Sequence, residues 1–229
     1  MPTLYIIGTP IGNLEDITLR AIRILKEVDV IYCEDTRVTK KLLSRYEINT
    51  PLRRLDAHTE KARTKEVIDR LVEGQSVAFV TDAGTPGISD PGQRLVESVR
   101  NASENLEDTF LIEVIPGPSA LTAALSISGI SADQFVFFGF LPHKKGRQTL
   151  LKEIATIKRT VVVYESPHRI LKLLGELSQC IGDREVVVAR ELTKKFEEVQ
   201  RGTAEKIKGI FEKDKSTVKG EFVVIISGQ

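Results

Sequence analysis

The chain has 229 residues and a formal net charge of +1, with 41% hydrophobic and 28% charged residues. This length suits one large domain or two smaller ones of about 100 residues each, and the composition is that of a folded protein rather than a disordered one. A near-neutral charge does not indicate a nucleic-acid binder, although it can hide a local basic face. No apolar run is long enough to span a membrane, and none has the pattern of a signal peptide, so a cytoplasmic enzyme is expected.

Strand-like and helix-like segments alternate through the first half of the chain. Short β-branched and apolar runs predict strands at 3–7, 30–33, 76–80 and 110–115. Amphipathic segments predict helices at 17–28, 38–46, 65–72 and 93–100, and an alanine-rich helix follows from about 119 to 125. Strands that alternate with helices in this way favour a mostly parallel α/β sheet with right-handed crossovers.

The composition changes after residues 129–133, and the remainder is richer in strand. Strands are predicted at 135–138, 160–164, 185–189, 197–202 and 221–226, and helices at 146–157, 166–177 and 204–211. Two successive strands separated only by 191–196 indicate an antiparallel hairpin. We therefore expect two α/β lobes, 1–117 and 118–229, of which the second has a mixed sheet.

Four loops, each between a strand and a helix, are the expected ligand-binding segments. They span 8–16, 81–91, 116–119 and 165–167, and such loops gather at the carboxyl edge of a parallel sheet, where ligands bind. Proline follows Asp90, Gly117 and Ser166 near the predicted helix starts, a position that proline often occupies. The loop from Thr81 is expected to place free N–H groups near an anionic or electron-rich ligand; a purely structural turn is the alternative.

Several familiar kinds of site are disfavoured by spacing. Gly8 and Gly12 do not fit the glycine spacing of a dinucleotide fingerprint, and no glycine-rich turn ends in the lysine and hydroxyl residue of a phosphate loop. The chain has no Gly-x-Ser-x-Gly elbow and no plausible cysteine nucleophile. Its two cysteines and three histidines are scattered, so reduced thiols and no metal are expected. The sequence therefore disfavours kinase, dehydrogenase and hydrolase functions.

Eight segments, taken in order along the chain, carry a family resemblance. They are Gly8–Leu14, Glu34–Arg37, Thr81–Gly92, Pro116–Ala120, Tyr164–Arg169, Ala189–Lys194, Arg201–Thr203 and Lys219–Glu221. Together they resemble the ribosomal RNA small subunit methyltransferase I family of the tetrapyrrole methylase superfamily. The resemblance implies a two-lobed class III methyltransferase fold and S-adenosylmethionine-dependent methylation of a cytidine ribose 2′-hydroxyl in the decoding region of 16S rRNA. It further implies a cytoplasmic homodimer that acts on 16S rRNA or the 30S subunit.

The superfamily binds S-adenosylmethionine between its lobes, and the resemblance carries its cofactor contacts onto this sequence. The implied positions are Pro10, Asp82, Ala83, Gly84, Thr85, Ile88, Ser119, Ala120, Glu165 and Thr193. Thr85 stands where the tetrapyrrole branch has an aspartate, which makes Asp82 a substitute candidate for the ribose contact. The same departure favours the RNA branch over the tetrapyrrole branch.

Residues for catalysis and for RNA binding are expected among charged positions of the loops. A ribose hydroxyl is weakly acidic, so a base or a nearby cation would assist its attack. Glu34, Glu165 and Lys194 are the catalytic candidates, with Asp35 and Glu191 as further possibilities. Contacts to RNA phosphates are expected from Arg37, Lys40, Lys41, Lys144, Lys145, Arg147, Arg169 and Arg190. For all of these residues, a structural ion pair or a solvated charge is the alternative.

Two other functions are compatible with the sequence. One is a methylase of tetrapyrroles or other small molecules on the same scaffold. The other is a non-catalytic RNA-binding or assembly protein that keeps the cleft only as scaffold. Binding of S-adenosylmethionine separates the second alternative from both methylases.

Overall fold

Strands covered on both faces form the centre of the first lobe. The computed structural model of the chain describes residues 1–56, 59–90, 92–106 and 110–229. Within them the chain divides into two compact units, Met1–Ser119 and Ala120–Gln229. None of the helices described is both long and apolar enough to cross a membrane.

The first lobe is a five-stranded parallel sheet with helices in its crossovers. Its elements are β1 Thr3–Ile7, α1 Leu19–Glu27, β2 Val30–Cys33, α2 Thr36–Arg45, β3 Leu52–Arg54, α3 Glu60–Val72, β4 Val77–Val80, α4 Gln93–Leu106 and β5 Leu111–Ile115. The strand order is β3-β2-β4-β1-β5, and every pairing is parallel. Every residue of β2 and β4 is buried, which is expected of strands with helices on both faces. The carboxyl ends of β1, β2, β4 and β5 therefore share one edge.

The second lobe is a mixed sheet. Its elements are α5 Ala120–Ser128, β6 Phe135–Phe140, α6 Arg147–Thr156, β7 Thr160–Glu165, α7 Ile170–Cys180, β8 Val186–Arg190, β9 Glu198–Gly202, α8 Ala204–Lys213 and β10 Phe222–Ile226. The order is β6-β7-β10-β8-β9; β6 and β7 run parallel, and the other pairs are antiparallel. The predicted hairpin and mixed sheet are confirmed by the β8–β9 pairing.

The two faces of the second sheet are covered by different helices. Val161 and Val163 of β7 pack in one core cluster with residues of α6, α7 and α8. Val162 lies between them in the strand and so points to the opposite face. On that face α5 lies against β10 and β8. The core of this lobe is therefore divided between two layers of helix.

Several element predictions differ from the structure; α3, for example, begins at Glu60 and not at residue 65. Strand β3 was missed because two of its three residues are exposed arginines, Arg53 and Arg54. Helix α4 continues through the polar residues 101–106 that were predicted as loop. The prediction that Ser166–Pro167 opens a helix is wrong, because α7 begins at Ile170 after a turn closed by the carbonyl of Ser166. Pro91, which follows Asp90 near another predicted helix start, lies outside the described residues.

Candidate functional site

Three of the predicted binding loops are hydrogen-bonded to one another at the carboxyl edge of the first sheet. The N–H of Thr9 donates to the carbonyl of Gly84 at 2.9 Å, and the N–H of Gly84 donates back at 3.0 Å. The hydroxyl of Thr85 donates to the carbonyl of Pro118 at 3.3 Å. These bonds join the loop containing Pro10, the loop containing Gly84 and Thr85, and the loop that ends at Ser119. Residues predicted from distant parts of the sequence thus lie together.

Two glycines allow the first and last of these loops to approach each other. A Cβ atom placed on Gly8 would lie 2.8 Å from the Cα of Gly117, and one on Gly117 would lie 2.8 Å from the carbonyl oxygen of Gly8. The N–H of Gly8 also donates to the carbonyl of Ile115 at 3.0 Å. Backbone meets backbone here, so no flexible side chain can move aside to admit a methyl group.

Gly117→Ala is therefore expected to separate these loops. We expect it to lower the free energy of unfolding by about 1–3 kcal/mol, the usual cost of overpacking, and to weaken at least about tenfold the S-adenosylmethionine binding that the family resemblance implies for these loops. The measurements are urea denaturation and calorimetric titration with S-adenosylmethionine. Gly209→Ala in α8 is the matched control, because no described atom other than the neighbouring helix backbone lies within 4 Å of the added Cβ. Equal behaviour of the two variants would contradict the prediction.

Left-handed backbone shapes the long loop after β4. Gly84, Gly87 and Ser89 have φ values of +85°, +86° and +69°, a region that residues with a Cβ adopt at a cost. The carboxylate of Asp90 accepts a hydrogen bond from the N–H of Gly87 at 2.5 Å and so closes a tight turn. Ile88 within this turn is 42% exposed. The loop thus presents backbone groups and one apolar side chain to solvent.

Asp90 was predicted only as a residue before a helix, but in the structure its carboxylate also closes the turn at Gly87. Burial raises the pKa of Asp90 to about 6, although the hydrogen bond from Gly87 opposes the increase. A buried acid costs stability when ionised, so this carboxylate must be held by its hydrogen-bonding partners. The Asp of the Ser-Asp-Pro sequence was the available signal, but its hydrogen-bonding partner three residues earlier could not be predicted from spacing alone.

The raised pKa predicts a pH-dependent stability difference between the wild type and Asp90→Asn. An acid whose folded pKa is raised binds its proton more tightly when folded, so stability is lost as pH rises from about 4 through 6. Asparagine keeps an oxygen that accepts from Gly87 but has no charge. Relative to this variant, the wild type should lose about 1–2 kcal/mol between pH 4 and pH 7.5, after allowance for partial solvent screening.

Urea denaturation at the two pH values measures this difference. Asp90→Ala removes the acceptor as well as the charge, and it should be less stable than Asp90→Asn at both pH values. A constant difference between the wild type and Asp90→Asn across this range would contradict the account.

Acidic side chains from two neighbouring strands meet beside the long loop. The carboxylate of Asp82 accepts a hydrogen bond from the N–H of Asp35 at 2.9 Å. Glu34 is half-buried, and burial, followed by the charge of Asp82, raises the pKa of Glu34 above its usual value. Asp35 differs, because hydrogen bonds from Arg37 lower its pKa to about 2. Burial also raises the pKa of Asp82, so the environments of Glu34 and Asp82, unlike that of Asp35, favour accepting a proton.

The second lobe contains a buried ion cluster around Glu165. The side chain of Glu165 is fully buried, and its Oε1 accepts from Arg169 Nε and from Ser166 N, each at 2.8 Å. Arg147 is 3% exposed and pairs with Glu176 at 2.6 Å. Its guanidinium also lies 3.8 Å from Glu165 Oε2. Arg147 is therefore part of this buried ion cluster, and we do not propose it as an RNA contact.

A second cluster of charged residues lies where β8 ends and β10 begins. Glu191 has φ +50°, and its carboxylate accepts from Lys194 Nζ at 2.9 Å and from Glu221 N at 3.0 Å. Burial alone would lower the pKa of Lys194, but hydrogen bonds to Glu221 and Glu191 outweigh burial and raise it. Thr193 in the same turn has φ +65°. Lys194 thus keeps its proton and does not suit the role of a base.

The predicted RNA-contacting residues fall into two groups. Lys40, Lys41, Lys144 and Lys145 are exposed, and Arg37 is 87% exposed although it pairs with Asp35. Arg190 is mostly buried and pairs with Glu198 at 3.0 Å, while Arg169 is held by Glu165. The exposed residues can reach a phosphate, whereas the paired arginines act within the fold. The carboxylates that pair with these arginines lie on other elements of the fold, and sequence spacing did not reveal these ion pairs.

Comparison with known sequences gives a consistent result. A family model described as Tetrapyrrole (Corrin/Porphyrin) Methylases matches residues 3–208. The ribosomal RNA small subunit methyltransferase I of Thermotoga maritima is 47% identical over 229 residues, which is all of both chains. The protein of the same name from Vibrio cholerae is 48% identical, with 99% of this chain and 77% of that protein covered.

Solved structures with low sequence identity share the fold. Diphthine synthase aligns with a TM-score of 0.74 at 15% identity, covering 100% of this chain and 90% of its own. Uroporphyrin-III-C-methyltransferase from Thermus thermophilus aligns with a TM-score of 0.70 at 20% identity, covering 99% and 94%. The predicted α/β fold of the tetrapyrrole methylases, with a parallel first sheet and a mixed second sheet, is thereby confirmed.

Proposed function

This chain belongs to the ribosomal RNA small subunit methyltransferase I family of tetrapyrrole methylases, and on that premise we propose which reaction it catalyses. The reaction is methylation of the ribose 2′-hydroxyl of a cytidine in the decoding region of 16S rRNA. The identity of 47% along the whole chain to the Thermotoga maritima protein carries the proposal. The protein is proposed to act as a homodimer in the cytoplasm, where ribosomal RNA is found.

S-adenosylmethionine is the proposed methyl donor, and the first lobe offers groups that suit it. This cofactor supplies a methyl group bound to a positively charged sulfur. Ala83 and the side chain of Ile88 are exposed at the loop edge, and the hydrogen bonds between Gly84 and Thr9 fix the backbone beside them. One oxygen of Asp82 bonds Asp35 N, and the other can accept from a ribose hydroxyl. The carboxylates of Glu34 and Asp82 also favour a cation nearby.

Alignment of the reacting atoms accounts for most of the chemistry, because the leaving group is already activated. The ribose oxygen forms a bond to the methyl carbon as the carbon–sulfur bond breaks, and the hydroxyl proton must be accepted by a base. We propose Glu34 as that base, because it lies near Asp82 at the loop edge and because burial raises its pKa, which makes it a better proton acceptor than an exposed glutamate. Glu165 is held inside its cluster by Arg169, and Lys194 keeps its proton, so neither fits this part.

Phosphate contacts are proposed for the exposed lysines. Lys40 and Lys41 on α2 and Lys144 and Lys145 before α6 are accessible to solvent. Substrate affinity should then fall steeply as salt concentration rises, because each phosphate contact releases counterions.

Transfer of a labelled methyl group tests the proposal. The purified protein is incubated with labelled S-adenosylmethionine and 30S subunits from a strain that lacks the modification; 30S subunits already methylated serve as the control. Label is expected only in the rRNA of undermethylated subunits. Transfer to a porphyrinoid but not to 30S subunits would support a tetrapyrrole methylase instead, and absence of cofactor binding by calorimetry would support a non-catalytic RNA-binding protein.

A further inference from the structure

A bulge in strand β6 brings two phenylalanines to the same face of the second sheet. The pairing with β7 passes directly from Phe137 to Gly139, which leaves Phe138 as an extra residue. Gly139 has φ +61°, a conformation that favours glycine. In a regular strand, residues three apart point to opposite faces. The bulge instead turns Phe140 to the side of Phe137, and bulges next to active sites commonly re-aim a side chain in this way.

Both phenylalanines contact Tyr164 of the neighbouring strand. The ring centroid of Tyr164 lies 4.9 Å from that of Phe137 and 5.6 Å from that of Phe140, each in an edge-to-face arrangement. Phe140 pairs with Tyr164 at the carboxyl end of the parallel β6–β7 pair. Phe140 is 53% exposed on an edge strand. An aromatic ring is therefore held by its neighbour while much of it is open to solvent.

The loop that follows Phe140 is basic, and two arginines bind the backbone at its beginning. Arg169 donates to the carbonyl of Leu141 at 2.9 Å, and Arg147 donates to that of Pro142 at 3.2 Å. The next residues, His143, Lys144 and Lys145, are exposed. No acidic residue occurs between positions 141 and 152. The two arginines thus place a positively charged loop beside the exposed aromatic ring.

We propose that Phe140 and Tyr164 form a stacking site for an unpaired base of the substrate RNA, with Lys144 and Lys145 on the adjoining phosphates. The inference rests on the proposed function, because it assigns a binding site for the same substrate. Proteins read RNA mainly through unpaired bases, which stack on aromatic side chains beside basic residues. A second copy of the chain fits less well, because a two-fold interface centred on Phe140 would bring the neighbouring lysines of both copies close together.

Kinetics of methyl transfer to undermethylated 30S subunits test the stacking site. Phe140→Leu should lower kcat/KM about 5- to 150-fold, the usual effect of removing one base–aromatic contact, and Phe140→Trp should restore it. Phe135→Leu is the matched control, because Phe135 is an exposed phenylalanine at the other end of the same strand, and it should behave as the wild type. Calorimetric affinity for S-adenosylmethionine should be the same in all four proteins.

The salt dependence of kcat/KM separates stacking from charge. The double variant Lys144→Gln, Lys145→Gln should reduce the slope of log kcat/KM against log salt concentration by about 1.4, or about 0.7 for each lost phosphate contact. Phe140→Leu should leave that slope unchanged.

Two results would overturn the stacking site. One is a kcat/KM for Phe140→Leu within twofold of the wild type. The other is a loss of activity that accompanies a change in molecular mass by light scattering, which would place Phe140 in an interface between subunits. If the wild type itself transfers no methyl group to 30S subunits, the proposed function fails rather than the stacking site alone.

Discussion

Glu34→Gln is expected to lower kcat for methylation of undermethylated 30S subunits by at least about 100-fold, the low end of the usual contribution of a general base. Glutamine has the same shape and can accept a hydrogen bond, but it cannot take the proton of the ribose hydroxyl. Burial and the charge of Asp82 raise the pKa of Glu34 in the wild type, so the wild-type rate should fall as the pH drops below that pKa. The variant should lack this acidic limb.

Single-turnover rates measured from pH 5 to 9 give the rate of methyl transfer and its dependence on pH. Glu73→Gln is the matched control, because Glu73 is an exposed acid at the end of α3, outside the predicted binding loops, and it should retain the wild-type rate and profile. A Glu34→Gln variant that turns over within fivefold of the wild type would exclude Glu34 as the base.

Glu165→Gln is expected to lower the free energy of unfolding by about 3 kcal/mol, because breaking a buried ion pair leaves an uncompensated charge. The unpaired group would be Arg169, whose Nε lies 2.8 Å from Glu165 Oε1. Arg147 keeps Glu176 as a partner at 2.6 Å, so the loss should stay near the lower end for buried pairs. The kcat of the folded variant should remain near that of the wild type at a permissive temperature.

Urea denaturation and kcat together distinguish a structural role of Glu165 from a catalytic one. Glu153→Gln on α6 is the control, since Glu153 is exposed and should change neither quantity. Unchanged stability with a kcat at least about 100-fold lower would show that Glu165 acts in the chemistry instead.

The strands of this fold were predictable because they are short, apolar and β-branched. The run at 30–33 agrees with β2, and the run at 160–164 is extended by one residue in β7. Strand β3 was not predictable in this way, because it is an edge strand of three residues with exposed arginines. The start of α7 was misplaced because a proline suits both the first turn of a helix and the turn before it.

The candidate site was predictable as a set of loops but not as a set of contacts. Glycine-rich segments at strand ends indicated where Gly8 and Gly84 would lie, since parallel strands end at one edge. The close approach of Gly8 to Gly117, where an added Cβ atom would lie 2.8 Å from the facing backbone, depends on tertiary structure that no local pattern records. The arginines posed the same difficulty, because Arg147 pairs with Glu176, which is 29 residues away. Charge alone does not reveal whether a guanidinium faces RNA or a buried carboxylate.

The position of the transferred methyl group tests the central claim most directly. After reaction of undermethylated 30S subunits with labelled S-adenosylmethionine, the 16S rRNA is digested to nucleosides for mass spectrometry, and the labelled site is mapped by its resistance to alkaline hydrolysis. The account predicts 2′-O-methylcytidine at one position of the decoding region. A methyl group on a base, or label outside the decoding region, would contradict it.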